Sequence, residues 1–243
     1  MSGPILKLNG VCKSFGAVEV IRSLSLKVER GEFVALVGPS GCGKTTLLNL
    51  MSGYDYPTEG TLERFEPGHM IYQEDGLFPW RTAAQNIELG LQFVPDRVAR
   101  ERDLSEMLSL IGLNGFGDHY PHQLSGGMRQ RVELARALVG GNNLLLMDEP
   151  FSALDYITRL RMRWELSRML KERPRTVVLV THDIEEAAQL ADRVIVLTDR
   201  PAQIRREQRI GLTRPRDLTH GEVVRAIHDV LAEMGLEGPG RKP

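Results

Sequence analysis

The chain has 243 residues, 42% of them hydrophobic, enough to bury a sizeable core, so a single globular domain spanning 1–243 is expected. Its 31 Lys and Arg stand against 32 Asp and Glu, and the resulting net charge of -1 gives no electrostatic case for a nucleic-acid partner. Two cysteines, Cys12 and Cys42, make no disulfide framework and fit a reducing compartment. Residues 1–10 lack the apolar stretch of a signal peptide, and no run nears the roughly 18 apolar residues of a spanning helix.

From the N-terminus, residues 5–28 alternate at Leu24, Leu26 and Val28 and break at Phe15-Gly16, the pattern of an antiparallel sheet with one buried face. Residues 32–37 are apolar, break at Gly38-Pro39, and give way to a helix over 44–51 that stops at Gly53. Leu104, Met107, Leu108 and Ile111 recur at helical spacing, as do Val132, Ala135, Leu138 and Val139 before Gly140-Gly141. The runs 144–147, 176–180 and 194–197 are β-rich without alternation and are separated by helical segments, as buried parallel strands are. The class is therefore α/β: a mainly parallel sheet, an N-terminal antiparallel β subdomain and an inserted helical subdomain over about 75–140. From Arg200 onward the chain is arginine-rich. Arg205, Arg206, Arg209, Arg214 and Arg216 are interspersed with acids and read as a solvated face without an amphipathic helix.

Gly38-Pro39-Ser40-Gly41-Cys42-Gly43-Lys44-Thr45 fits GxxxxGK[ST] between an expected strand and an expected helix, which is the context a phosphate loop requires. The glycines let backbone N–H groups converge on phosphate oxygens, the helix start adds partial positive charge, and Lys44 reaches the terminal phosphates. The hydroxyl of Thr45 would hold Mg²⁺, and Thr46 follows in the first helical turn. Alone, the loop says only that a nucleoside triphosphate is bound. Asp148 and Glu149 end a buried strand, where open α/β sheets bind ligands. By themselves they could equally cap the next helix; beside a phosphate loop, Asp148 becomes the Mg²⁺ carboxylate and Glu149 the base that polarises water. A water-activating carboxylate favours hydrolysis over transfer to a bound hydroxyl.

Leu124-Ser125-Gly126-Gly127-Met128-Arg129-Gln130-Arg131 precedes an amphipathic helix, so Ser125, Gly126 and Gly127 make a second anion-binding helix start. One nucleotide does not need two such cradles in one chain, and a head-to-tail pair in which each cradle faces the other chain's phosphate loop uses both. The string resembles the signature of ABC transporter ATPases. That resemblance implies a P-loop NTPase core using ATP and Mg²⁺. It also implies a Q-loop Gln73, in Tyr72-Gln73-Glu74-Asp75, touching Mg²⁺ or water; a D-loop Ser152-Ala153-Leu154-Asp155 crossing the dimer interface; a switch His182; and Phe15 against adenine.

Leu77, Phe78, Pro79 and Trp80, directly after Gln73, could pack internally or line a docking groove. In the family this place receives the coupling helix of a permease. Leu77 to Thr82, Thr181 to Ala187, Val196 to Ile204 and Arg214-Pro215-Arg216-Asp217 look like the nitrate/sulfonate/taurine/bicarbonate branch of importer ATPases. The branch implies a peripheral subunit on the cytoplasmic face of the cell membrane, paired as a homodimer or with a related ATPase, working with a separate permease and, indirectly, a substrate-binding protein. An exporter ATPase and a soluble non-transport ABC ATPase share the catalytic residues and are the alternatives. Relative to that branch the segment 60–73 is short, implying a trimmed antiparallel hairpin there, and no long C-terminal regulatory domain is expected.

Overall fold

The computed structural model describes residues 3–73 and 76–236. β1 (Pro4–Phe15) and β2 (Val18–Glu29) pair antiparallel through the tight turn at Gly16, and β4 (Glu59–Arg64) adds to the other edge of β1, giving the order β2-β1-β4. Between β2 and β4 the chain forms β3 (Phe33–Val37) and α1 (Lys44–Ser52). β5 (Gly68–Ile71) then opens a second, six-stranded sheet. Its helical connection runs through α2 (Ala83–Glu88), α3 (Arg97–Leu110) and α4 (Gly126–Val139) to β6 (Leu144–Asp148). α5 (Tyr156–Glu172), β7 (Thr176–Val180), α6 (Ile184–Leu190), β8 (Arg193–Leu197), β9 (Ile204–Arg209) and α7 (Gly221–Glu233) follow. The second sheet has the order β5-β6-β7-β3-β8-β9, parallel except for β9.

The unalternating strands have a physical reason. Every residue of β3, β6, β7 and β8 is buried, because each face of the sheet meets its own core. Phe33, Ala35 and Val37 of β3, with Leu145 and Met147 of β6, pack against the helices on one side. Val34, Leu36, Leu144 and Leu146 pack on the other against Leu47, Leu48 and Met51 of α1 and the apolar face of the antiparallel sheet. Both faces are covered, as a parallel sheet demands.

Two expectations are corrected. The segment 60–73 holds no antiparallel hairpin: β4 pairs with β1 and β5 with β6, so this stretch stitches the two sheets together. The arginine-rich tail is not uniformly solvated, and it contains an amphipathic helix. α7 buries Val223, Ala226 and Val230. Arg216 is 2% exposed and donates to the carbonyls of Ala191, Ile210 and Leu212 and to the Asp192 carboxylate. A guanidinium with that many acceptors is satisfied in the interior, which a charge count along the sequence cannot reveal. Among the described residues, no helix is long and apolar enough to cross a membrane.

Candidate functional site

Strand order builds the site. β5, β6, β7 and β3 are successive neighbours, so their C-terminal ends line up Gln73, the pair Asp148-Glu149, His182 and the phosphate loop in one row. Glu74 and Asp75 of the Gln73 loop lie outside the described residues.

The phosphate loop runs from β3 into α1. Gly41 and Gly43 have φ of 74° and 123°, values that penalise side chains, and a Cβ on Gly43 would sit 2.8 Å from Val20 Cγ1. Ser40, Gly41, Gly43, Lys44, Thr45 and Thr46 line a cavity of about 520 Å³ together with Phe15, Val18, Val20, Glu149 and Arg200. Gly38, Pro39 and Cys42 shape the loop from behind and do not line this cavity. A Cβ on Gly38 would meet Leu197 at 3.1 Å, and the Cys42 side chain is buried in the core beneath, which raises its thiol pKa. Lys44 Nζ donates to the carbonyls of Gly38 and Pro39, both at 2.8 Å.

Phe15, 53% exposed, ends β1, and the Lys13 ammonium sits 4.8 Å from its ring centroid. Lys13 is itself held by Asp55 at 2.6 Å and the Tyr56 carbonyl at 2.9 Å. The ring thus lines the cavity with Val18 and Val20 as an exposed aromatic surface beside a cation.

Asp148 is buried at the end of β6. Burial is the largest influence on it and raises its pKa; a hydrogen bond with the Thr45 side chain opposes that shift, the neighbouring Glu149 adds to it, and Lys44 lowers it. A hydroxyl and a carboxylate already in contact form a hard-oxygen pair of the kind that would hold Mg²⁺. Glu149, the next residue, has φ of 47°, an unfavourable backbone conformation for a residue with a side chain. Its N–H donates to the Val180 carbonyl at 2.9 Å, and its carbonyl accepts from the Ser152 N–H and hydroxyl. The turn throws the carboxylate toward the cavity, where Glu149 Oε2 lies 2.9 Å from His182 Nδ1. Gln73 is exposed two residues beyond β5 and is not among the cavity-lining residues.

The second cradle lies apart. Ser125 caps α4 by accepting from the Met128 N–H at 3.3 Å, and Asp155 caps α5 by accepting from the Thr158 N–H at 3.0 Å. Ser125, Gly126, Gly127 and Asp155 share a different hollow of about 360 Å³ with Ala153, Leu154 and Arg161. The two hollows share no lining residue. Gln130 of α4 donates to the carbonyl of Pro150, tying the signature helix to the residue after Glu149.

Sequence reasoning missed Val18, Val20 and Arg200 on the cavity wall and Gln130 behind it. Val18 and Val20 carried a signal, alternation in a strand that follows Phe15; Arg200 reaches Gly41 across 159 residues and left none, and the Leu124 to Arg131 string holds Gln130 without showing its contact to Pro150. Of the apolar cluster after Gln73, Leu77 packs inward, while Phe78 and Trp80 are 40% and 68% exposed with ring centroids 5.3 Å apart.

A phosphate loop, strand-end carboxylates and a separate capped helix start on one doubly covered sheet define an ATP-binding cassette. The chain belongs to the ABC transporter family, whose profile matches residues 21–152. It is 48% identical over 217 residues to the aliphatic sulfonates import ATP-binding protein SsuB 1 of Rhodococcus jostii, covering 87% of this chain and 85% of that one. It is 42% identical over 240 residues to an uncharacterized ABC transporter ATP-binding protein of Methanocaldococcus jannaschii, covering 93% and 90%. Among solved structures it is similar to the ATP-binding cassette MJ0796 in a dimeric post-hydrolysis state bound to ADP and Pi, with a TM-score of 0.72 and 31% identity over 86% of this chain and all of that one.

Proposed function

We propose that this chain is the ATP-hydrolysing subunit of an ABC importer, driving uptake of a small sulfonate-type anion through a separate permease at the cytoplasmic face of the cell membrane. The observation that carries the ATPase half is the separation of the two cradles: each is shaped for an anion, and head-to-tail pairing of two copies closes two complete sites. The similarity to sulfonate import ATP-binding proteins carries the importer half.

In this reading Phe15 stacks on adenine, the N–H groups of residues 41–46 and Lys44 hold the phosphates, and Thr45, Asp148 and Gln73 would hold Mg²⁺, which would supply charge neutralisation at the phosphates. Glu149 orients the attacking water in line and takes up its proton. His182, fixed by its hydrogen bond to Glu149, Lys44, and Ser125 of the partner subunit surround the charge that develops on the transferred phosphoryl. Phe78 and Trp80 form the apolar patch for the permease.

The test is reconstitution of the chain with its permease and binding protein in vesicles. Alkanesulfonates, taurine, nitrate and bicarbonate are compared as stimulants of ATP hydrolysis and as accumulated solutes. A sulfonate should raise both, and Glu149→Gln should abolish uptake while retaining ATP binding. Stimulation by none of these anions, or outward movement of solute, overturns the importer reading.

A further inference from the structure

We propose that Arg200 is a nucleotide-positioning residue of this site: a fixed cation that braces the phosphate loop through the Gly41 carbonyl and adds positive charge for the phosphates of ATP and ADP alike. The proposal rests on the cavity being the ATP site. Arg200 sits in the loop between β8 and β9, 159 residues along the chain from the Gly41 carbonyl that it contacts. Its Nε and Nη2 both donate to the carbonyl oxygen of Gly41, at 3.2 and 2.6 Å. Nη1 makes no hydrogen bond among the described residues. Lys44 and Arg200 are the cations among the residues lining the cavity, and Lys44 is drawn back onto the carbonyls of its own loop.

The arginine is presented rigidly. The Thr198 N–H donates to the Gln203 carbonyl at 2.9 Å, and the Thr198 hydroxyl donates to the Asp199 and Pro201 carbonyls while accepting from the Gln203 N–H. The Ala202 N–H donates to Val20, and the Arg22 N–H donates to Ala202, so the loop is bolted to β2, whose Val18 and Val20 form the cavity wall. Arg200 therefore joins three chain segments around the nucleotide.

Two physical effects follow. A carbonyl oxygen at the edge of an anion site repels phosphate, and the guanidinium covers that oxygen. The remaining donors stay on a planar fork suited to phosphate oxygens. Neither effect depends on a γ-phosphate, and neither touches the attacking water, so the contribution belongs to binding and not to the chemical step.

Fluorescence titration of the full-length chain with a fluorescent ATP analogue and with the matching ADP analogue, in the presence of Mg²⁺, tests this. Arg200→Ala should weaken both by about 10-fold, the value of one charge-assisted contact, and raise KM equally while kcat at saturating ATP stays within about twofold. Arg200→Gln, which keeps an amide donor for Gly41 but no charge, should fall between, with a shallower dependence of affinity on salt. Wild-type affinity in Arg200→Ala, or a loss confined to kcat, overturns the proposal. Lys44→Ala separates the two levels. If Lys44→Ala binds poorly while Arg200→Ala binds normally, the assignment of Arg200 alone fails; if both bind normally, the reading of the cavity as the ATP site fails with it.

Discussion

Glu186 lies one helical turn beyond His182, with its carboxyl wholly enclosed. Burial pushes its pKa up to about 7; the Thr181 hydroxyl, which donates to Oε2 at 2.5 Å, and Arg163 and Arg159 oppose that shift, while Asp183 adds to it. An acid whose pKa is higher folded than unfolded binds more protons in the native state between those values. Its stabilising contribution is full below about 4.5 and is lost as the pH rises to about 7. The span corresponds to about 3 kcal/mol, at 1.36 kcal/mol per unit. Glu186→Gln keeps an acceptor for Thr181 and removes the titration. The mutant should melt near the wild type at pH 5 and several degrees above it at pH 8. Parallel melting-temperature profiles across that range would show that Glu186 does not titrate there. At this scale the sequence shows the residues whose chemistry is local to a motif: the phosphate loop, Asp148-Glu149 and the Ser125 cap each declare themselves within about eight residues. Glu186, Arg200 and Gln130 depend on partners that only the fold brings near.

Elements were legible where burial on two faces removes polar alternation, as in β3, β6, β7 and β8, or where a helix is bracketed, α1 by the phosphate loop and Gly53 and α4 by the Ser125 cap and Gly140. β4 and β5 were not, because two short strands close in sequence look like one hairpin until their different partners are known. Nor did sequence reveal what steadies the exposed apolar turn after Gln73. Asn86 of α2 is fully buried beneath it. Its Oδ1 accepts from the Phe78 N–H at 2.8 Å, and its Nδ2 donates to the carbonyls of Phe78, Arg81 and Thr82 at 3.0 to 3.2 Å. The side chain thus reinforces the turn's own backbone bond, from the Arg81 N–H to the Phe78 carbonyl at 3.1 Å, and holds the base from which Phe78 and Trp80 face outward. Asn86→Ala strands a buried N–H and should cost about 2–3 kcal/mol, lowering the melting temperature by roughly 4–12 °C. Hydrogen exchange gives the local check: the Phe78 amide should lose protection while amides of β3 keep theirs. A Phe78 amide that exchanges as slowly as in the wild type would assign the turn's order to other contacts.

At the scale of the whole molecule, the decisive geometric fact is that the phosphate loop and the Ser125 cradle open into different cavities of one chain. If two copies meet head to tail, every complete site takes its loop from one copy and its cradle from the other. Damage to either half then becomes separable. Lys44→Ala destroys the loop and leaves the cradle, whereas Ser125→Arg fills the cradle with a bulky cation and leaves the loop. Each variant alone forms dimers in which both sites are broken, so each should hydrolyse ATP at background rate. In a mixed dimer, one site receives both lesions and the other receives none. Random mixing of equal amounts yields half mixed dimers with one intact site each, so about a quarter of wild-type sites are restored. ATP turnover measured across mixing ratios should be bell-shaped, peak at equal amounts and vanish at both ends. Activity that simply averages the two inactive proteins at every ratio would mean that loop and cradle serve the same copy, and the shared-site dimer would have to be abandoned.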